Sequence, residues 1–301
     1  MRFRNLFARD QRTMSFEFFP PKTPDGTADF LDSMDSFEAL APSFVSVTYG
    51  AGGSSAERTR ELVSAIRART SAPVVPHLTC CCHSREEIEA ILAAYAEEGI
   101  ENLVALRGDP PAELASRAGD YAHATELVEH IAEFGARTGH RFGIAVAGYP
   151  EGHPAASDRL LELDHLKAKV DAGADCVITQ LFFDNRDFED FRERCELAGI
   201  SVPIVAGIMP VTSVGGMKRM AQLAGRARFP AALLRSLARA EDDPESIRRV
   251  GAHWATEQCR DLLDRGVDGI HFYTLNRSKA TREVYASLGV RDSKRLVMRT
   301  A

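Results

Sequence analysis

A (β/α)8 barrel is the fold class the sequence predicts, and three observations carry the prediction. Eight short apolar runs recur along the 301 residues, helical patterns fill the intervals, and no linker-like or low-complexity stretch divides the chain. Strand–helix alternation repeated eight times implies parallel strands with helical crossovers, and eight such units close a barrel. The rival, a doubly wound open sheet, needs a glycine fingerprint after its first strand, where this chain reads FFPPKTPDG.

The runs follow in order. SFEFF (15–19), FVSVTYG (44–50), PVVPHLTC (73–80) and NLVALRGD (102–109) make the first half. FGIAVAGYP (142–150), CVITQLFF (176–183), VPIVAGIMP (202–210) and GIHFYTLN (269–276) make the second. Most are rich in β-branched or aromatic residues, and each is bounded by glycine, proline or a charged turn. Between them lie amphipathic stretches such as SREEIEAILAAYAEEG (84–99) and HATELVEHIAEFGARTG (123–139). The first opens on Ser84 and Glu87, a capping box, and closes on Gly99. The last unit is irregular, with two helices expected over 229–266 before the eighth strand. Residues 1–13 are basic without an apolar signal core and are expected to fray, leaving 14–301 as one barrel domain.

Composition narrows the function. A net charge of −6 with no basic block argues against nucleic acid, and no run of eighteen apolar residues suggests a membrane span. Six cysteines without a C-x-x-C pair suit free thiols in a reducing cytoplasm. The expected partners are small molecules and further copies of the chain.

Barrels of this kind do chemistry at the C-terminal ends of their strands. Polar residues gather there on seven of eight runs: Glu17, Thr48 with Tyr49, His77 with Thr79, Arg107-Gly108-Asp109, Tyr149, Gln180, and Asn276 with Arg277. Glu17 sits between Phe16 and Phe18, so strand alternation turns the rings outward to the helices and the acid inward. It is either an acid kept for chemistry or a strand-end glutamate paired with a base such as Arg277. Arg107 and Asp109 are read as site residues or as a plain ion pair. The glycine turn YGAGGSS (49–55) could cradle an anion but lacks the Lys-Ser/Thr of a P-loop. Consecutive Cys80, Cys81 and Cys82 alternate faces, which disfavours a shared metal ion, and no metal is expected. Lys167 and Lys169 lie on a helix, while Gln180 ends the sixth strand, which counts against a Schiff-base aldolase.

Taken together, SFEFFPPK, FVSVTYGAGG, PHLT, LRGDPP, YPEGHP, HLKAKVDAGAD, ITQLFFD and HFYTLNR resemble the methylenetetrahydrofolate reductases from about residue 14 to 290. The resemblance implies a barrel that binds FAD and uses NADH or NADPH to reduce 5,10-methylenetetrahydrofolate to 5-methyltetrahydrofolate, by ping-pong hydride transfer, for methionine synthesis. It implies a catalytic acid at Glu17. FAD contacts are implied at Thr48, Tyr49, Ala51, His77, Arg107, Gly108, Asp109, Tyr121, Ala122, Tyr149, His153, Glu162, His165 and Lys169. Asp109 is also implied to face the folate pterin, and Gln180 and Arg277 to touch folate. Glu162 stands where relatives often carry Asp; Gly216 and Met220 stand where some bacterial members carry Gln and Phe. Inhibition by S-adenosylmethionine is not expected, because the chain leaves no room for that ligand's domain. Two alternatives remain at this level: a flavin-free reductase, and a non-catalytic folate- or flavin-binding subunit.

Overall fold

The computed structural model describes residues 1–10, 12–49, 56–110, 119–154, 156, 158–224, 227–240 and 243–296. Eight strands run in chain order: β1 (Thr13–Phe18), β2 (Phe44–Val47), β3 (Val74–Thr79), β4 (Asn102–Leu106), β5 (Gly143–Gly148), β6 (Cys176–Thr179), β7 (Ile204–Ile208) and β8 (Gly269–Tyr273). Each pairs in parallel with the next, and β1 pairs with β8 to close the barrel. Every expected run carries one strand, β1 beginning ahead of its run at Thr13, and the strands stop one to four residues before the apolar runs do. Those tails form the rim. Leu181, Phe182 and Phe183, for example, leave β6 still buried. Buried carbonyls need partners, and the long helix before β8 supplies them: Gln258 donates to Phe182 O at 3.2 Å and Trp254 to Phe183 O at 3.0 Å.

Around the strands lie α1 (Phe3–Asp10), α2 (Pro24–Glu38), α3 (Ala56–Arg67), α4 (Arg85–Glu97), α5 (Ala124–Thr138) and α6 (Arg159–Asp171). Next come α7 (Asn185–Leu197), α8 (Val214–Ala224), α9 (Ala231–Ala238), α10 (Pro244–Asp264) and α11 (Ser278–Ser287). The two helices expected over 229–266 are α9 and α10. The capping box of α4 forms as read, with Ser84 Oγ accepting from Glu87 N and the Glu87 carboxylate accepting from Ser84 N.

The N-terminal segment departs from expectation. Residues 3–10 do not fray but form α1, with Phe3 and Leu6 fully buried. Phe3 and Leu6 pack with Phe44, Val75, Val104, Ala145, Cys176 and Val205, the inward residues at the barrel floor. Phe3 N also donates to Asn102 Oδ1 at 2.7 Å. Full burial of such side chains is worth about 1.5–3 kcal/mol each, enough to hold a single short helix across the floor.

The main core lies between strands and helices. Phe16 and Phe18 are fully buried there, with ring centroids 5.6 and 4.7 Å from Phe37. With its neighbours turned outward, Glu17 enters the barrel. A further apolar cluster, including Met209, Met217, Leu233 and Ile247, packs α8, α9 and α10 against the loops beyond β6 and β7. All six cysteines are buried and free.

Candidate active site

Glu17 lies in register with Ser46 of β2 and Tyr273 of β8. Its Oε2 is 3.5 Å from His77 Nε2 and 3.5 Å from His271 Nε2. His77 ranks among the most deeply enclosed groups; burial, opposed by the Glu17 charge, pushes its pKa down to about 4, so the ring is neutral near pH 7. Arg277 is exposed in the turn after β8 and forms no ion pair with Glu17. The alternative reading, a glutamate paired with a base such as Arg277, is not met; two imidazoles face the carboxyl instead.

Tyr273 closes the space beside the acid. Its hydroxyl donates to Thr179 O at 2.8 Å, reaching from β8 across β7 to β6. Gly207 on β7 makes that crossing possible: a Cβ there would lie 2.7 Å from Tyr273 Cε2 and 2.3 Å from Thr179 O. The ends of β1 and β8 are tied by Thr274 Oγ1 donating to Glu17 O at 2.7 Å, and by Asn276 and Phe19 exchanging two hydrogen bonds. Leu275 and Asn276 accept positive φ angles of 50° and 58° in this turn. Strained turns of this sort cluster at functional rims.

A second group of polar residues lines the β4–β5–α6 side. Glu162, His165 and Lys169 are spaced three and four residues apart, which puts them along one face of α6. The Lys169 ammonium donates to Ala147 O at 2.8 Å. Desolvation, partly offset by Glu162, pushes its pKa down to about 8. Glu162 accepts from His153 N at 2.9 Å, and burial raises its carboxyl above the ordinary value. Tyr149 meets His153 edge-on at 4.6 Å. Burial and the charges of Asp109 and Glu162 push the Tyr149 phenol up to about 12. His165 is exposed and stacks on His123 at 5.8 Å.

On β4's tail, Arg107 and Asp109 are both exposed and do not pair with each other; Arg107 donates Nε–H to Ala122 O at 3.0 Å. Between them Gly108 has φ +77°, and a Cβ there would lie 2.8 Å from Thr79 Cβ. Gln180 uses its Oε1 to accept from Leu181 N at 2.9 Å. It borders a narrow cleft shared with Tyr149, Glu151, Gly152 and Ala224.

Two of the expected residues, Tyr49 and Tyr121, turn into the main core. Tyr49 is buried in the main core, with its hydroxyl 3.4 Å from His83 Nε2. Tyr121 lies in the same core and its hydroxyl engages His130 Nδ1 of α5. Thr48 is half-buried at the end of β2, where its carbonyl accepts from Thr59 Oγ1 at 3.1 Å. Ala51 and most of the glycine turn lie outside the described residues. The sequence reading also missed His271, Tyr273 and Glu151. His271 and Tyr273 alternate with Phe272 in HFY, and the parity that turned Glu17 inward turns them inward as well. Glu151 is buried and accepts from Arg228 N at 2.7 Å; burial and Asp187 push its carboxyl up to about 7.

An inward acid, a desolvated lysine and aromatic walls lie at the C-terminal mouth of a parallel barrel, where enzymes of the (β/α)8 class carry their chemistry. Residues 2–289 match the family described as methylenetetrahydrofolate reductase, and the chain belongs to that family. It is 41% identical over 278 residues to the 5,10-methylenetetrahydrofolate reductase of Pectobacterium carotovorum, covering 92% of this chain and 90% of that one. Against the Escherichia coli 5,10-methylenetetrahydrofolate reductase it is 40% identical over 281 residues, covering 93% and 92%. With methylenetetrahydrofolate reductase (NADH) 1 of Arabidopsis thaliana it shares 39% over 305 residues, 97% of this chain but 51% of the relative. The chain thus spans about half the length of its plant relatives and about nine-tenths of the bacterial ones. Among solved structures, a Clostridium thermocellum protein described as binding two copies of 5-methyl-5,6,7,8-tetrahydrofolic acid superposes with a TM-score of 0.67 at 14% identity. That superposition covers 97% of this chain and 98% of the other, a likeness of fold.

Proposed function

We propose that this chain reduces 5,10-methylenetetrahydrofolate to 5-methyltetrahydrofolate, with NADH as reductant and FAD as the bound hydride carrier. The observation that carries the reading is Glu17, an inward carboxyl at the barrel mouth with no lysine or arginine paired to it among the described residues. Six buried free thiols suit the reducing cytoplasm. Among the described residues, no helix is long and apolar enough to cross a membrane.

The β4–β5–α6 side fits a flavin dinucleotide. A desolvated Lys169 ammonium held by one carbonyl and offset by Glu162 gains from an anionic ligand. Lys169 and Arg107 would hold the pyrophosphate, Glu162 and His165 the ribityl and ribose hydroxyls, and Tyr149 with His153 the ring system. His77, Thr48 and the Gly108 backbone would close the edge nearest the acid. When bound, FAD supplies hydride acceptance from reduced nicotinamide and hydride donation to the folate. Asp109, whose charge is felt by Tyr149, would stabilise the cationic iminium of the opened folate, and Gln180 would orient the pterin. Exposed Arg277 can pair with the folate's glutamate carboxylate. Glu17 would give its proton to the folate nitrogen released as the five-membered ring opens.

The test is optical. The purified protein should be yellow, bleach with NADH and recolour with 5,10-methylenetetrahydrofolate. Glu17→Gln should still bleach within a few-fold of the parent rate, because no folate proton is involved. Its recolouring by folate should slow at least ~10²-fold. A colourless protein that oxidises NADH with folate would refute the flavin, and a normal folate step in Glu17→Gln would refute the acid.

A further inference from the structure

Beneath the Glu17 carboxyl the barrel encloses an imidazole that the proposed reaction leaves without a task. His271 has no exposed surface and stands in register with Ser15, two residues before Tyr273. Its ring stacks on Phe44 at 6.0 Å and meets Tyr273 edge-on at 5.4 Å. Nδ1 lies 2.7 Å from Ser15 Oγ, while Nε2 lies 3.5 Å from Glu17 Oε2 and 3.5 Å from Ser46 Oγ.

Resting on the reading of Glu17 as the acid, we propose that His271 is its positioning residue. Ser15 donates its hydroxyl proton to Nδ1, which leaves Nε2 as the N–H that faces Glu17. That N–H holds the carboxyl toward the mouth and stabilises the carboxylate left after the proton passes to the folate. The opposite tautomer is worse on two counts. It would send the Ser15 hydroxyl to Ile270 O at 3.5 Å, the outer limit of a hydrogen bond. It would also set the Nε2 lone pair against the carboxylate 3.5 Å away, two acceptors facing each other. The other titratable groups facing the carboxyl are His77 from β3 and Tyr273 from β8. The Nε2–Glu17 separation is long for a hydrogen bond, as it often is before substrate tightens a site.

The test compares His271→Phe, His271→Gln, Ser15→Ala and Glu17→Gln in separate half-reactions. His271→Phe keeps the stack on Phe44 and should slow folate-driven flavin oxidation at least ~10-fold, since misplacing a reacting group costs on this scale. NADH-driven bleaching should stay within about three-fold, because no proton passes through Glu17 in that step. The alkaline limb of the folate step should move to higher pH, because the carboxylate has lost a donor. His271→Gln, whose amide can donate toward the same point, should recover most of the rate, and Ser15→Ala should fall between. Apart from turnover, ¹⁵N spectra of histidine-labelled protein should show His271 as one Nε2–H tautomer, a fixed state that Ser15→Ala removes. If His271→Phe fails to fold, Ser15→Ala and the spectra decide the matter. A protonated Nδ1, equal loss in both half-reactions, or an unchanged folate step in a protein whose Glu17→Gln variant has collapsed would overturn the role of His271 alone. An unimpaired folate step in Glu17→Gln would instead remove the reading beneath it, and this role with it.

Discussion

Lys169 gives the sharpest separation between a residue kept for the fold and one kept for a ligand. Its pKa falls from 10.5 to about 8 because the ammonium is desolvated. That drop corresponds to roughly 3 kcal/mol against the folded, flavin-free protein. The sign follows from proton counts. Between pH 8 and 10.5 the unfolded chain binds the proton that the folded chain has lost, so stability rises with pH across that window. The cost is complete below about pH 8 and gone above the unfolded value. Lys169→Met keeps the length of the side chain and removes the charge. The flavin-stripped variant should therefore be more stable than the parent at pH 7 by up to ~3 kcal/mol, a gain of roughly 5 °C in Tm for a chain of this size. The difference should shrink toward zero near pH 10. FAD affinity, followed by flavin fluorescence on titration, should move the other way and weaken at least ~10-fold as a charge-assisted contact is lost. Equal stability of the two proteins at pH 7, or unweakened flavin binding, would refute the argument.

Two further outcomes follow from single side chains. Gly108→Ala places a Cβ at φ +77° and 2.8 Å from Thr79 Cβ, so urea unfolding should show a loss of about 2–4 kcal/mol from strain and overpacking. Glu151, pushed up from 4.5 to about 7, makes the folded state bind the extra proton between those values, so stability falls as pH rises through them. Glu151→Gln keeps an oxygen for Arg228 N; it should match the parent near pH 4.5 and exceed it by up to ~3 kcal/mol at pH 8 in chemical denaturation, and a constant gap would refute the assignment.

The strand order was legible because each run carries its own period and boundary, and parallel closure follows from eight repeats. Alternation also gave the direction of Glu17 without coordinates. The same alternation in GIHFYTLN turns His271 and Tyr273 inward, in register with Ser15 and Glu17. Other features were invisible for physical reasons. Phe3, Leu6 and Phe7 have helical spacing, yet a short basic terminus is a poor helix alone; the barrel floor stabilises α1, and that surface is assembled from six distant strands. Tyr49 and Tyr121 stand at strand and loop ends, where sequence gives position but not the rotamer that sends one toward His83 and the other toward His130. The need for glycine at 207 exists only because Tyr273 lies across it.

An acid between phenylalanines is costly unless each side chain has its own destination, and here each does. Phe16 and Phe18 go to the helix layer and Glu17 to the mouth, so aromatic burial does not desolvate the carboxyl from both sides. A structural glutamate in such a place would be expected to hold a lysine or arginine, since an unpaired buried charge is expensive. Arg277 is at hand in sequence but points into solvent, and the groups that face Glu17 are the side chains of His77 and His271 at 3.5 Å. Both contacts are long enough to be re-formed by an incoming ligand. A strong ion pair would lock the carboxyl to a cation, whereas weak imidazole contacts position it and leave it open to a ligand. The cation that this design withholds from Glu17 stands instead on the β4–β5–α6 side, at Lys169. On the proposed reading the same mouth would offer proton transfer on one side and anion binding on the other, which is the division of labour that a reaction joining a dinucleotide to a ring-opening proton donor requires.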